Sequence, residues 1–103
     1  MDLNFTPWTG ETPATEEELR ELLEEQQLKV YHWKSGPEEV FGPHTHSYHK
    51  VLYVLKGNIN FEFSTRHERF KLKPGDRLDI PGGLRHNAVA GVDGVTCLEA
   101  HIY

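Results

Sequence analysis

The chain has 103 residues, enough for one domain with one modest core and too few for two. Eleven Lys and Arg against sixteen Asp and Glu leave a formal charge of −5 with no basic cluster, which argues against a reader of nucleic-acid backbones. The single cysteine, Cys97, and the lack of a signal-like start point to the cytoplasm, and no apolar run approaches the ~20 residues of a membrane span.

The first fourteen residues set Phe5 and Trp8 among Pro7, Gly10 and Pro13, a composition that suits an extended arm rather than a regular element. Pro13 then precedes Thr15 and Glu18, spaced as a capping box, and Leu19, Leu22 and Leu23 form one apolar stripe. A short helix is predicted here. Its glutamates read as a solvated face whose charge near the N-terminus complements the helix dipole. Residues 1–27 are therefore expected to be an arm and helix packed on the rest of the chain or on a partner, and residues 28–103 one β domain.

From Leu28 the hydrophobic period changes to alternation, broken every eight to twelve residues or so by turn residues. Strands are predicted at Leu28 to Lys34, within His44 to Leu55, and at Ile59 to Phe63, Arg69 to Leu72, Arg77 to Ile80, Arg85 to Ala90 and Val95 to Ile102. The expected turns include Lys56-Gly57-Asn58 and Gly91 to Gly94. Seven or eight strands suggest an all-β closed sheet or sandwich. Val51 to Leu55 is apolar on both parities and needs cover outside the barrel. A second subunit is the simplest cover, so a homodimer is expected.

Seven histidines are a high count, and His44, His46 and His49 crowd into six positions. On a strand His44 and His46 share a face and His49 has the opposite parity. By itself a His-x-His pair in a β protein is more often a polar surface pair than half a metal site.

A third histidine, His86, ends the spacing Gly75-x5-Pro81-x-Gly83-x2-His86. That spacing matches the second motif of the cupins up to its histidine. The first cupin motif, Gly-x5-His-x-His-x3/4-Glu-x6-Gly, is matched at His44, His46 and Gly57, with an apolar run before the glycine. The chain thus resembles a small single-domain cupin. The resemblance implies a jelly-roll barrel, a double-stranded β-helix, whose mouth holds a divalent metal on His44, His46 and His86. Three imidazoles suit zinc, iron, manganese, nickel, cobalt or copper without choosing among them.

Two departures are minor: the leading glycine falls at Glu38 and the closing asparagine at Ala90. The third places Lys50 where the family has its ligand glutamate. At about 5 Å and an effective dielectric of about 20, an ammonium and a divalent ion repel by roughly 6–7 kcal/mol. Lys50 must therefore turn away, become neutral, share the cavity with an anion, or sit in a barrel without metal. A bulge near Ser47 to His49 would let it snorkel to the rim.

Lys50, His49, Tyr48, Glu99 and His101 are the further candidates for the pocket or its surroundings. Cys97, Glu99 and His101 share one face of the last strand, and Leu98, Ala100 and Ile102 the other. The preferred reading puts the apolar set inside, though Glu99 would offer a carboxylate if the polar face turned inward. Trp33, Tyr48, Tyr53 and Phe61 read as packing, and His32 and His67 as without function. The expected function is metal-dependent binding of, or action on, a small polar or oxygenated molecule. By resemblance, dioxygenase, isomerase and decarboxylase chemistry are all open. The alternative is a non-catalytic module binding an anionic ligand through Lys50 and the histidines.

Overall fold

The computed structural model describes residues 1–103. In chain order its elements are β1 (Asn4–Thr6), α1 (Glu16–Glu24), β2 (Tyr31–Ser35), β3 (Val40–His44), β4 (His49–Phe63), β5 (Glu68–Leu72), β6 (Arg77–Ile80) and β7 (His86–Ile102), with a 3-10 turn at Ser64–Arg66. Every strand pairing is antiparallel. The long strands β4 and β7 pair with each other from His49 opposite Ile102 to Glu62 opposite Asn87. The first half of β4 also pairs with β6 and its second half with β5, while β7 pairs with β3 and then with β2. Two leaves thus share two bent strands, which is a jelly-roll barrel.

The predicted turns at 56–58 and 91–94 are bends within continuous strands. The β4–β7 register slips between Val54 and Lys56 and again between Gly57 and Ile59. Gly57 (φ 71°) and Gly94 (φ 78°) both adopt left-handed backbone there, and a Cβ on Gly57 would lie 2.0 Å from the Gly94 carbonyl oxygen. Inward parity flips across the bend. In β4 it passes from Leu52 and Val54 to Ile59, Phe61 and Phe63; in β7 from Ala88 and Ala90 to Val95 and Cys97. These residues, with Leu72, Leu78 and Ile80, form the barrel core.

That flip corrects one expectation. Leu98 and Ala100 pack outside the barrel, and Cys97 and Glu99 face inward. Burial pushes the Cys97 thiol up to about 12, which makes it a small core residue and a poor nucleophile.

The outer face of Val51 and Tyr53 is covered by the chain's own helix. Leu19 and Leu23 are fully buried against Val51, Tyr53, Leu98 and Ala100. The capping box forms as its spacing predicts, with Thr15 Oγ1 accepting from the Glu18 amide and Glu18 Oε1 from the Thr15 amide. The need for cover from which a second subunit was inferred is therefore met within one chain.

The N-terminal arm is partly regular, since β1 adds an edge strand to β6. Buried Asp76 fastens it, accepting the Trp8 amide at 2.9 Å and the Lys73 amide at 3.0 Å. The Trp8 ring lies where a Cβ on Gly75 would stand.

Candidate metal centre

His44 closes β3 and His86 opens β7, and the two are register partners on these adjacent strands. His46 follows on the segment between β3 and β4. That segment is held by the Pro81-Gly82-Gly83 turn, whose Gly83 amide donates to the His46 carbonyl at 2.7 Å. Gly82 closes against the same segment, where a Cβ would come within 3.1 Å of the Tyr48 carbonyl oxygen. The turn glycines therefore position a site residue, a role that turn chemistry alone had not revealed.

One ring nitrogen from each of His44, His46 and His86 lies within 4.8 Å of the other two. Ring centroids are 4.5 Å apart for His44 and His86, 4.6 Å for His44 and His46, and 5.2 Å for His46 and His86. Two of the rings have their tautomer set by the backbone. His44 Nδ1 donates to the Gly42 carbonyl at 2.6 Å, and His86 Nδ1 to the Leu84 carbonyl at 2.8 Å. Each Nε2 is then a lone pair, as a metal ligand requires.

His46 Nε2 and His86 Nε2 are buried and have no hydrogen-bond partner. Leaving such an atom unpaired costs about 1–3 kcal/mol, so the cluster is organised to receive something. The environment also favours the neutral form of His46 and His86. Burial first, then Lys50 and the neighbouring histidines, push His46 down from 6.5 to about 4, and burial likewise lowers His86. Neutral imidazoles with orphaned acceptors fit a divalent metal, and the three histidines are placed to hold one.

Lys50 points into the barrel and lines the cavity beside these histidines. The rim-snorkelling alternative is not the one adopted. Its Nζ lies 3.4 Å from Glu99 Oε1 on β7, and the two side chains are only 13% and 11% exposed. Glu99 therefore supplies, from the neighbouring strand where it pairs with Leu52, the negative charge missing from position 50. The carboxylate also accepts from Trp33 Nε1 at 3.0 Å and from His101 Nε2 at 2.5 Å.

The other candidates surround the centre. Tyr48 stacks on His46 and on His101, with centroids 5.0 and 4.0 Å away. His49 does not join the cluster: its Nδ1 accepts the Gly82 amide at 2.9 Å. Trp33 and Phe61, read from sequence as packing, line the cavity, as does Phe41, which the sequence had not singled out. Period-2 alternation in β2, with Trp33 flanked by His32 and Lys34, was the available signal for Trp33. Tyr53 lies on the outer face under α1, with its hydroxyl accepting from Arg77 Nη1 at 3.1 Å. The cavity measures about 270 Å³, at the small end of ligand pockets, and Leu52, Ile59 and Ala88 complete its apolar wall.

The family model described as Cupin domain matches residues 31–98, more than half of the chain. The protein is a cupin. The cupin barrel aligns with solved structures that include KdgF from Halomonas sp., at 27% identity and TM-score 0.61 over 74% of this chain and 70% of that one. An RmlC-like cupin from Shewanella frigidimarina aligns at 20% identity and TM-score 0.62, covering 72% and 64% of the two chains. The polyketide cyclase RemF from Streptomyces resistomycificus aligns at 23% identity and TM-score 0.64, covering 74% and 55%. The cupin has no match in sequence among curated proteins.

Proposed function

We propose that this cupin holds a divalent transition metal on His44, His46 and His86 and binds, or acts on, a small polar or oxygenated molecule in the barrel mouth. The observation that carries the reading is the pair of buried, partnerless Nε2 atoms on His46 and His86, converging with His44. Bound there, zinc, iron, manganese, nickel, cobalt or copper supplies a Lewis acid with open positions for a ligand oxygen. The chain's own work is distinct from that. The Gly42 and Leu84 carbonyls hold the Nδ1 protons in place. The Lys50–Glu99 pair sets the local charge, and an apolar wall lines the rest of the cavity. A polyketide cyclase shares the barrel, which supports reading it as able to carry chemistry; dioxygenase, isomerase and decarboxylase classes stay within the proposal.

A homodimer and a cytoplasmic setting belong to the same proposal, the first without the outer-face argument that α1 now answers. No helix is long and apolar enough to cross a membrane.

Elemental analysis of untagged, reconstituted protein tests the metal. About one equivalent per chain is expected, lost in His46→Ala; under about 0.2 equivalent, unchanged by that substitution, rejects the reading. The non-catalytic alternative, an anion-binding module built on Lys50 and the histidines, draws on the ammonium inside the cavity. It needs no metal, so the same analysis separates the two.

A further inference from the structure

The ammonium of Lys50 is incompletely partnered. Its carboxylate neighbour, Glu99 Oε1, stands at 3.4 Å, longer than the roughly 2.7–2.9 Å of a charge-assisted hydrogen bond. That oxygen already accepts the Trp33 indole N–H at 3.0 Å, and the other accepts from His101. Glu99 is thus well served by two other donors, and Lys50 is a loosely held third. An ammonium carries three N–H donors, and this one, 13% exposed, lines a cavity whose other polar groups are the histidines and Glu99. Beyond the long contact to Glu99, the donors are open to an acceptor from a ligand.

The charge count points the same way. Where a cupin has a ligand glutamate, three imidazoles, one carboxylate and a divalent metal sum to +1. Here the Lys50–Glu99 pair is neutral and the same metal leaves +2. The remaining wall is apolar, with Trp33 and Phe41 edge to face at 5.8 Å and Ile59 and Phe61 beside them.

We propose that the cavity takes a small organic carboxylate, with its acid group between Lys50 and the three-histidine centre and its apolar end against Trp33, Phe41 and Ile59. The inference rests on the metal reading for the histidine half of the seat and on Lys50 alone for the other half. It narrows the ligand from any small polar molecule to an amphiphilic monoanion that fits about 270 Å³. Lys50 is the residue that distinguishes the acid from its neutral analogue.

Calorimetric titration of zinc-loaded and metal-free protein with benzoate and with benzamide, its neutral counterpart, tests this. Benzoate is expected to bind about tenfold more tightly, and Lys50→Gln to abolish that preference in metal-free protein and to reduce it in zinc-loaded protein. In the wild-type protein, benzoate and not benzamide should slow reductive methylation of Lys50, followed by mass spectrometry, a readout that needs no folded variant. Equal affinity for the two, or a preference in metal-free protein that survives Lys50→Gln, overturns the inference even where zinc binds normally. So does failure of benzoate, phenylacetate and hexanoate alike to bind up to millimolar concentration. Lys50-dependent preference in a protein that takes up no zinc supports the carboxylate seat and removes only the metal.

Discussion

Tyr48 lies flat against His46, with ring centroids 5.0 Å apart and planes 28° apart. His44 and His86 are oriented by hydrogen bonds to backbone carbonyls, but the His46 ring is held by its aromatic neighbours. Tyr48 is backed in turn by His101, which Glu99 anchors. Tyr48→Ala is therefore expected to weaken zinc binding about tenfold, and Tyr48→Phe to leave it unchanged. Competition against a chromophoric chelator reads both; equal losses in the two variants would assign the effect to the hydroxyl instead of the stack.

The Lys50–Glu99 pair is unequal in its consequences. Removing Glu99 strands the Lys50 ammonium beside three histidines and leaves the Trp33 and His101 donors unmet. Removing Lys50 leaves Glu99 with two donors. Glu99→Ala should cost about 3 kcal/mol in urea unfolding and Lys50→Met about 1 kcal/mol or less. Comparable losses would show that the ion pair itself carries the energy.

Acid stability follows from the histidines. His46 titrates at about 4 in the folded protein, against 6.5 unperturbed, and His86 is shifted in the same direction. Between those values the unfolded chain binds protons that the folded protein refuses. Stability is then full above about pH 6.5 and lost as pH falls toward about 4. Thermal midpoints of metal-free protein should decline across that window, and His46→Gln should flatten the slope. A wild-type midpoint that rises on acidification contradicts the assignment.

The bend shared by β4 and β7 tolerates no side chain at Gly57, where φ is 71° and a Cβ would sit 2.0 Å from the Gly94 carbonyl oxygen. Gly57→Ala should destabilise by roughly 2 kcal/mol or more. Gly36→Ala is the control, because nothing lies within 4 Å of its Cβ position, and it should change little.

Helix α1 is held by Leu19 and Leu23, both fully buried over Val51 and Leu98. Leu23→Ala is expected to cost about 2–5 kcal/mol, whereas Leu22→Ala, at a position 39% exposed, should cost under about 1 kcal/mol. Urea denaturation distinguishes them. A small loss at Leu23 would mean that α1 adds little to the barrel.

Local order was legible in the residues. The Thr15–Glu18 capping box, the His44–His46 pair and the spacing from Gly75 to His86 each span a short stretch of chain, so residues near in sequence determine them. The direction of Lys50 stayed open in the sequence, because parity with His44 and His46 holds only along one continuous strand and residues 45–48 separate β3 from β4.

What only the tertiary structure decided crosses that local range. The paired bends at Gly57 and Gly94 reverse inward parity midway along both long strands. In the last strand both faces are buried, so the apolar set of Leu98 and Ala100 packs outward under α1 and Glu99 faces the cavity. Continuous strands with a bend carry the same glycines as two strands with a turn, and only pairing with a distant partner tells them apart. The partner that neutralises Lys50, and the helix that covers Val51, are likewise contacts between remote segments. Their formation depends on which strands close the barrel, a choice made by packing rather than by the residues on either side.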